Sequence, residues 1–496
     1  MNKTAIAEII STQYLIPGVF NKFDPSSAMR GPREMPRSIA LFGPINNPLF
    51  NPANFDHAIT LTTDAAARGM LGAASIGYQM WKAAKANAIK GLPIRFVAQR
   101  DDATAVARVV TITISVGAPA SRQNGEQAIY IGGERYSVGI LSTDSAAAIA
   151  EKFAAKLNTA NNLFSVLLVG NVMTLKAKTK GQLANLIDFR TRYYRTDELV
   201  SGVTVSMKTT VNGAVNPSIS AAIANLAKTR DTEWVIPYTD GANMGILEAE
   251  LMRRWGQEVQ SDVQAIVAMR GTEGAHTTWL KSRNCPLVHS IHTNKDMSSP
   301  WELASMAGAT IESMAMLDPA TPHTGAALVG YKPAATGESL NEDQINNIML
   351  EGGSSVSVHA DNTATLMRMV TNYTTHNTGA YDTSMRELNW IKTLSWFRWY
   401  RNAEFSIKTQ GFKMGEYAEA IPGQKIMTYD VAQDMLLGIY DNAIGIGRMQ
   451  NPEYYKDTLL IQIDGPQGRL KIRDEPVIMN QLYQTAITSQ WVAGHV

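Results

Sequence analysis

Cys285, His289 and His292 form the one close cysteine–histidine cluster in the chain. A zinc centre needs four ligands, or three and a water. Cys285 and His289 would share a helix face, but Pro286 and the run LVHSIH read as a strand. On a strand, residues three apart face opposite sides, which separates His289 from His292. A thiolate nucleophile at Cys285 would also need an oxyanion-binding turn, and none is recognisable. Asp240, Glu248 and Glu250 are candidates for paired carboxylates. Asp240 closes a strand, where α/β sheets bind ligands, and equally where a helix cap sits. No G-x-x-x-x-G-K-[ST] loop occurs, and the glycines of residues 438–447 (GIYDNAIGIG) follow a helix where a phosphate loop would follow a strand. The expectation is a non-enzyme with no catalytic residue, no cofactor and no metal. A soluble α/β enzyme using Asp240 or Cys285 is the competing class.

Residues 392–401 (KTLSWFRWYR) interleave cations with aromatics, as single-strand nucleic-acid binders do. Here Trp396, Trp399 and Tyr400 fall at helical spacing, with Ile391 and Leu394 nearby. That pattern predicts a helix laying its aromatic face on a sheet, with Lys392, Arg398 and Arg401 exposed. Net charge is 45 − 44 = +1, so no global field favours nucleic acid or an anionic membrane. One cysteine excludes an intrachain disulfide. The first twenty residues lack a signal-peptide pattern, and no run approaches the roughly 20 apolar residues of a membrane helix. A soluble protein made in the cytosol is expected.

The elements that must position these residues follow from periodicity. A chain of 496 residues should hold about two to four domains. Residues 1–35 read as an extended arm, broken by Pro17, Pro25, Pro32 and Pro36. Residues 36–103 alternate strand, helix and strand: 37–43, 65–69, 71–89 and 94–99. Residues 104–212 change to β alternation, with strands at 107–116, 127–131, 134–140, 164–169, 172–178 and 203–210. Gly132-Gly133 marks a hairpin. One helix at 145–158 interrupts, capped by Thr143 or Asp144. The α/β pattern resumes over 213–350. Residues 351–476 form a third domain, with strands at 354–359 and 365–373, helices at 383–407 and 431–444, and strands at 459–463 and 469–476. Residues 477–496 are a terminal arm. The predicted fold class is α/β multidomain: a doubly wound core, an inserted β-rich domain, an α+β C-terminal domain and two arms.

Several segments, in order, resemble the contractile phage tail sheath proteins, most closely the Mu-like branch. They are LIPGVFNKFD at 15–24, IALFGP at 39–44, and the insertion with its IGGERYSVGI hairpin and KGQLANLID stretch. WVIPYTDG at 234–241, WELASMAGATIESMAMLDPATP at 301–322 and SSVSVHADNTATLMRMVTNYTT at 354–375 complete the series. The family usually has glycine where this chain has Asp361-Asn362, and it tends to end in apolar strands where this chain has TSQWVAGHV.

The resemblance implies a structural subunit stacking as six-membered rings around an inner tail tube, contracting to drive the tube through a bacterial envelope. Its partners would be further copies of itself, the tube protein, and the baseplate and tail terminator proteins. Neither nucleic-acid binding nor membrane insertion is expected. It would reside in the virion tail after assembly in the host cytoplasm; the sheath of a phage-derived bacteriocin or of another contractile injection system is the near variant. Strand exchange between subunits is assigned to residues 14–23 (Tyr14, Leu15, Ile16, Val19, Phe20, Phe23) and 469–478 (Leu470, Ile472, Val477). The receiving sheet is assigned to Val356, Val358, Met367, Met369, Leu460 and Ile461. The tube-facing cations are assigned to Arg386, Lys392, Arg398 and Arg401.

Overall fold

The computed structural model describes residues 34–159, 162–194, 196–335, 337–415 and 423–491. The chain divides into two compact units. One comprises Met35–Trp399 with Val477–Val496, the other Met1–Glu34 with Tyr400–Pro476.

The larger unit is built on a seven-stranded sheet. Its first strands are β1 (Ile39–Pro44), β2 (Ala58–Thr60) and β3 (Ile94–Gln99), with α1 (Asp64–Leu71) and α2 (Ile76–Asn87) between the last two. Next comes the insertion: β4 (Ala107–Val116), β5 (Gly125–Ile131), β6 (Glu134–Ile140), α3 (Ala146–Leu157), β7 (Phe164–Val169), β8 (Val172–Lys180), β9 (Phe189–Arg190) and β10 (Val203–Val211). The sheet then resumes through α4 (Ser220–Asn225), β11 (Glu233–Val235), α5 (Gly241–Trp255), β12 (Gln264–Arg270), α6 (Glu273–Lys281) and β13 (Val288–Thr293). It ends with α7 (Pro300–Leu317), α8 (Glu342–Leu350) and β14 (Gly353–Ser354).

Strand order is β14-β13-β12-β11-β1-β3-β2, parallel except for β2. The strands before and after the insertion therefore meet at β1–β11. Parallel strands need cover on both faces, and adjacent residues of β11 show it. Trp234 lies under the Arg254 guanidinium of α5 at 4.7 Å from the ring centre. Val235, on the opposite face, meets α7 at Gly308, where an added Cβ would come 3.1 Å from Val235 Cγ2 and Ile266 Cγ2.

The insertion forms a four-stranded antiparallel sheet, β10-β4-β8-β7, and a three-stranded one, β6-β5-β9. Helix α3 buries Ile149, Ala150, Phe153 and Leu157. Its cap is Ser145, whose side chain accepts from Ala148 N–H. The expected cap Asp144 instead accepts from Leu141 N–H and pairs with Lys152.

The expected strand 354–359 is split. Its start is β14 of the central sheet; the remainder is β15 (Val356–Val358), paired with β16 (Ala364–Leu366). Between them Asn362 takes a left-handed φ of 63°, a conformation Asn tolerates better than most side chains. The expected strand 365–373 stops at Leu366. Beyond it, Arg368 turns to Glu387 and Val370 N–H bonds the Ser354 hydroxyl, and the backbone pairing is reduced to an isolated antiparallel bridge between Val370 and Glu387.

Helix α9 (Leu388–Lys408) carries the chain into the smaller unit. There β17 (Lys413–Met414) pairs with β18 (Ile426–Met427), followed by α10 (Tyr429–Gly445), β19 (Met449–Gln450) and α11 (Pro452–Thr458). The antiparallel hairpin β20 (Leu460–Asp464) and β21 (Arg469–Arg473) ends the unit. Tyr440 and Tyr455 stack 3.7 Å apart and tie α10 to α11. Arg401 pairs with Asp474 at 2.5 Å, and Arg448 holds Glu34 through both carboxylate oxygens at 3.0 Å.

Candidate functional site

The aromatic–cation segment is helical, and Trp396, Phe397 and Tyr400 are buried. Its first cation departs from expectation. Lys392, read as exposed and tube-facing, has no exposed surface. Its Nζ donates to Glu233 Oε2 at 2.8 Å, to Gln264 Oε1 at 3.2 Å and to Glu312 Oε1. Arg37 Nη1 donates to Glu312 Oε2 at 3.1 Å, and the Thr232 hydroxyl donates to the same oxygen at 2.8 Å. His289 Nε2 lies 3.2 Å from Glu233 Oε1. Register explains the convergence. Glu233 is opposite Gln264, His289 is opposite Ile266, and Glu312 is one turn beyond Gly308 on α7.

Two carboxylates and two cations balance formally. Burial pushes the Glu233 carboxyl up to about 7; Lys392 and, more weakly, Arg37 oppose the rise, and the neighbouring Glu312 adds to it. Burial also acts on Glu312, but Lys392 and Arg37 together outweigh it and bring that carboxyl to about 2. Burial lowers His323 to about 3 and holds His289 well below the usual range, so both rings are neutral at pH 7. Perturbed groups of this kind mark catalytic sites when they face a cleft. Here Glu233, Glu312, Lys392, His289 and His323 are each at most 1% exposed, so nothing can reach them. The network fixes α9 against the sheet.

The remaining assigned cations are also engaged within the chain. Arg386 bonds Glu387 at 3.1 Å. Arg398 donates to Asp262 and to the Trp255 carbonyl, each at 2.8 Å, and covers the Trp255 ring. Arg401 is held by Asp474. The missed signal was in the strands. Glu233 and Gln264 open otherwise apolar runs, and His289 sits within a third. Polar residues there demand partners.

His289 and His292 do point apart. His292 faces His276, with Nδ1 atoms 3.1 Å apart and rings stacked. Cys285 is buried, and burial pushes its thiol up to about 12. Among the described residues, no three His, Cys, Asp or Glu side chains could hold a metal ion. Asp240 caps α5, accepting from Asn243 N–H at 3.0 Å, and Glu248 and Glu250 pair with arginines.

The assigned strand-exchange residues Tyr14, Leu15, Ile16, Val19, Phe20 and Phe23 lie outside the described residues. Leu470 and Ile472, read as exported, pair within the chain with Ile463 and Ile461. Among the described residues the assigned receiving strands lie in separate two-stranded sheets. Val356 and Val358 pair with β16 in the larger unit, Met367 and Met369 lie beyond the end of β16, and Leu460 and Ile461 belong to the β20–β21 hairpin. That hairpin is two-stranded, so each strand keeps one edge without a ladder partner among the described residues.

The terminal segment packs on its own unit through Gln481 and Tyr483. Gln481 donates to the Ala320 carbonyl and Tyr483 to Asn389, with Arg368 over the Tyr483 ring at 4.5 Å. Leu482, Ile487 and Trp491 are 78%, 81% and 84% exposed.

No family model matches the chain. It is 27% identical over 483 residues to the Mu-like prophage FluMu tail sheath protein of Haemophilus influenzae, covering 95% of this chain and 96% of that one. The sheath tail protein of Desulfitobacterium hafniense superposes with a TM-score of 0.50 at 12% identity, over 94% of this chain and 97% of that one. The helical sheath of the anti-feeding prophage in its contracted state gives 0.49 at 9% identity, over 96% and 99%. The Mu-like sheath resemblance read from the sequence therefore holds, over nearly the whole chain, and the mixed α/β fold is that of a sheath tail protein. These relatives are structural tail proteins and not enzymes.

Proposed function

We propose that this chain is the structural subunit of a contractile phage tail sheath. It polymerises as stacked six-membered rings around an inner tube and contracts to deliver the genome. The observation that carries this reading is end-to-end relatedness to a Mu-like tail sheath protein, 95% of one chain against 96% of the other. The sealed charge network and the capped, paired carboxylates support a building block in preference to a catalyst. Baseplate and terminator proteins would bind the ends of the polymer, in a virion tail assembled in the host cytoplasm.

The proposed architecture is a doubly wound core, an inserted outer domain at 104–212, and an inner C-terminal domain. The arms at 1–35 and 477–496 act as straps. The β20–β21 hairpin is the best receiver, since a strand from a neighbour can add to each of its two open edges. Backbone hydrogen bonds would then link rings that rotate and slide during contraction. Lys392 has no part in tube contact, because it is enclosed.

Negative-stain microscopy of the purified protein across a range of salt tests the reading. Striated tubes or stacked rings, alone or with a co-expressed tube protein, are expected. Uniform small particles under both conditions would overturn it. Deleting residues 1–24 should leave a folded subunit that forms no tubes; normal tubes from that truncation would remove the strap.

A further inference from the structure

The smaller unit carries two oppositely charged stripes of similar length, each exposed to solvent. On α10, Asp430, Asp434 and Asp441 are exposed. Their positions fall within about 40° of one another around the helix and span about 16 Å of its axis. None is in an ion pair among the described residues. The buried side of α10 is Ala432, Leu436, Ile439, Tyr440 and Ala443, on the opposite arc.

On β21, Arg469, Lys471 and Arg473 are exposed at every second position, a run of about 13 Å. The alternate residues Leu470 and Ile472 turn inward with Ile461 and Ile463 of β20. Lys471 and Arg473 touch Asp464 and Glu475, yet keep 53% and 74% of their side chains open. The acidic arc of α10 and the basic face of β21 thus each turn outward from the unit's own packing.

We infer that the acidic stripe of α10 in one copy docks on the basic stripe of β21 in a second copy. This rests on the assembly reading above and names the charge contact that orients neighbouring subunits. The argument is complementarity. Three acids and three bases match in number and run length. A patch that meets a different patch makes a head-to-tail contact, which propagates into rings or helical stacks and not into closed dimers. Opposed charge also sets register and suppresses wrong pairings.

Charge reversal tests the contact independently of the straps. Asp430→Lys with Asp434→Lys and Asp441→Lys should abolish tubes, and so should Arg469→Glu with Lys471→Glu and Arg473→Glu. Circular dichroism and urea midpoints should stay near those of the wild type, because all six residues are exposed. Mixing the two variants in equal amounts should restore tubes, since each then meets an opposite stripe; one chain carrying all six reversals should also assemble. Tubes from either single set, or no recovery in the mixture and in the six-fold variant, would overturn the inference. Wild-type protein that forms no tubes would remove the assembly reading first, and this contact with it.

Discussion

Helix α9 and strand β21 are the two cation-rich stretches of the C-terminal third, and they use their cations in opposite ways. On α9, Lys392 is enclosed by two carboxylates and an amide from three other elements, and Arg398 covers a tryptophan. On β21, Arg469, Lys471 and Arg473 face outward. The local sequences do not announce the difference. Partners supplied from far along the chain decide it: Glu233 and Glu312 lie 159 and 80 residues from Lys392. A cation with buried carboxylate partners holds a fold together, whereas one without them is free for another molecule.

Removing Lys392 should break this comparison most sharply. Lys392→Met strands two buried carboxylates, and loss of one member of a buried pair costs about 3–5 kcal/mol. The urea midpoint should fall accordingly. Adding Glu233→Gln should recover part of the loss, because Glu233 already resists ionisation. A single variant as stable as wild type would deny the network its structural role.

Acid should attack the same buried region and leave the exposed stripe's contribution to folding unaffected. Burial lowers His276, His289, His292 and His323 in the folded chain. The unfolded chain therefore binds more protons below about pH 6.5, and stability falls as pH drops through that range. Glu233 acts in the reverse sense: its raised carboxyl takes a proton in the folded state and adds stability as pH falls from about 7. The four buried histidines act together over this range, so the urea midpoint at pH 5 should lie below that at pH 7.5. An unchanged midpoint would mean that the histidines titrate normally.

Apolar periodicity made most of the framework legible. The strands 39–44, 94–99, 264–270 and 288–293, the antiparallel strands between 107 and 211 and the Gly132-Gly133 hairpin were all readable within a few residues. Side-chain engagement was not. Helical spacing placed Ile391, Trp396 and Tyr400 on the buried face of α9, but Leu394 and Trp399 are only half-buried while Phe397 is buried, and nothing in that window reveals a carboxylate waiting across the sheet. The assigned receiving strands lie apart for a related reason. Residues 365–373 look strand-like, while Arg368 and Thr371 bond Glu387 and Met385 and turn the segment toward the residues before α9, where only a single bridge, Val370 with Glu387, remains. The terminal arm was judged by its polar end, which hid the exposed Leu482, Ile487 and Trp491.

Two smaller substitutions probe packing where charge plays no part. Gly308→Ala places a methyl 3.1 Å from both Val235 and Ile266, in a helix that otherwise favours alanine. Overpacking should win, at about 1–3 kcal/mol, measurable as a lower urea midpoint. Cys285→Ser should cost about 1 kcal/mol for the buried hydroxyl and leave tube assembly normal. Native protein should react slowly with a thiol reagent, since burial keeps the group protonated. Assembly lost with folding intact would assign Cys285 a chemical role.

The smallest expected effect closes the comparison from the other side. Arg469→Ala removes a charge of the same sign as Lys392, from a position with open surface and no ion pair among the described residues. Exposed substitutions away from caps and networks stay within about 0.5 kcal/mol, so the folded subunit should be as stable as wild type. Its assembly should weaken measurably at low salt, and the deficit relative to wild type should shrink as salt rises, because the Debye length falls to about 8 Å at physiological ionic strength and screens the lost contact. A drop in stability comparable to that of Lys392→Met would show that β21 belongs to the fold's own charge balance, and the distinction between the two stretches would be gone.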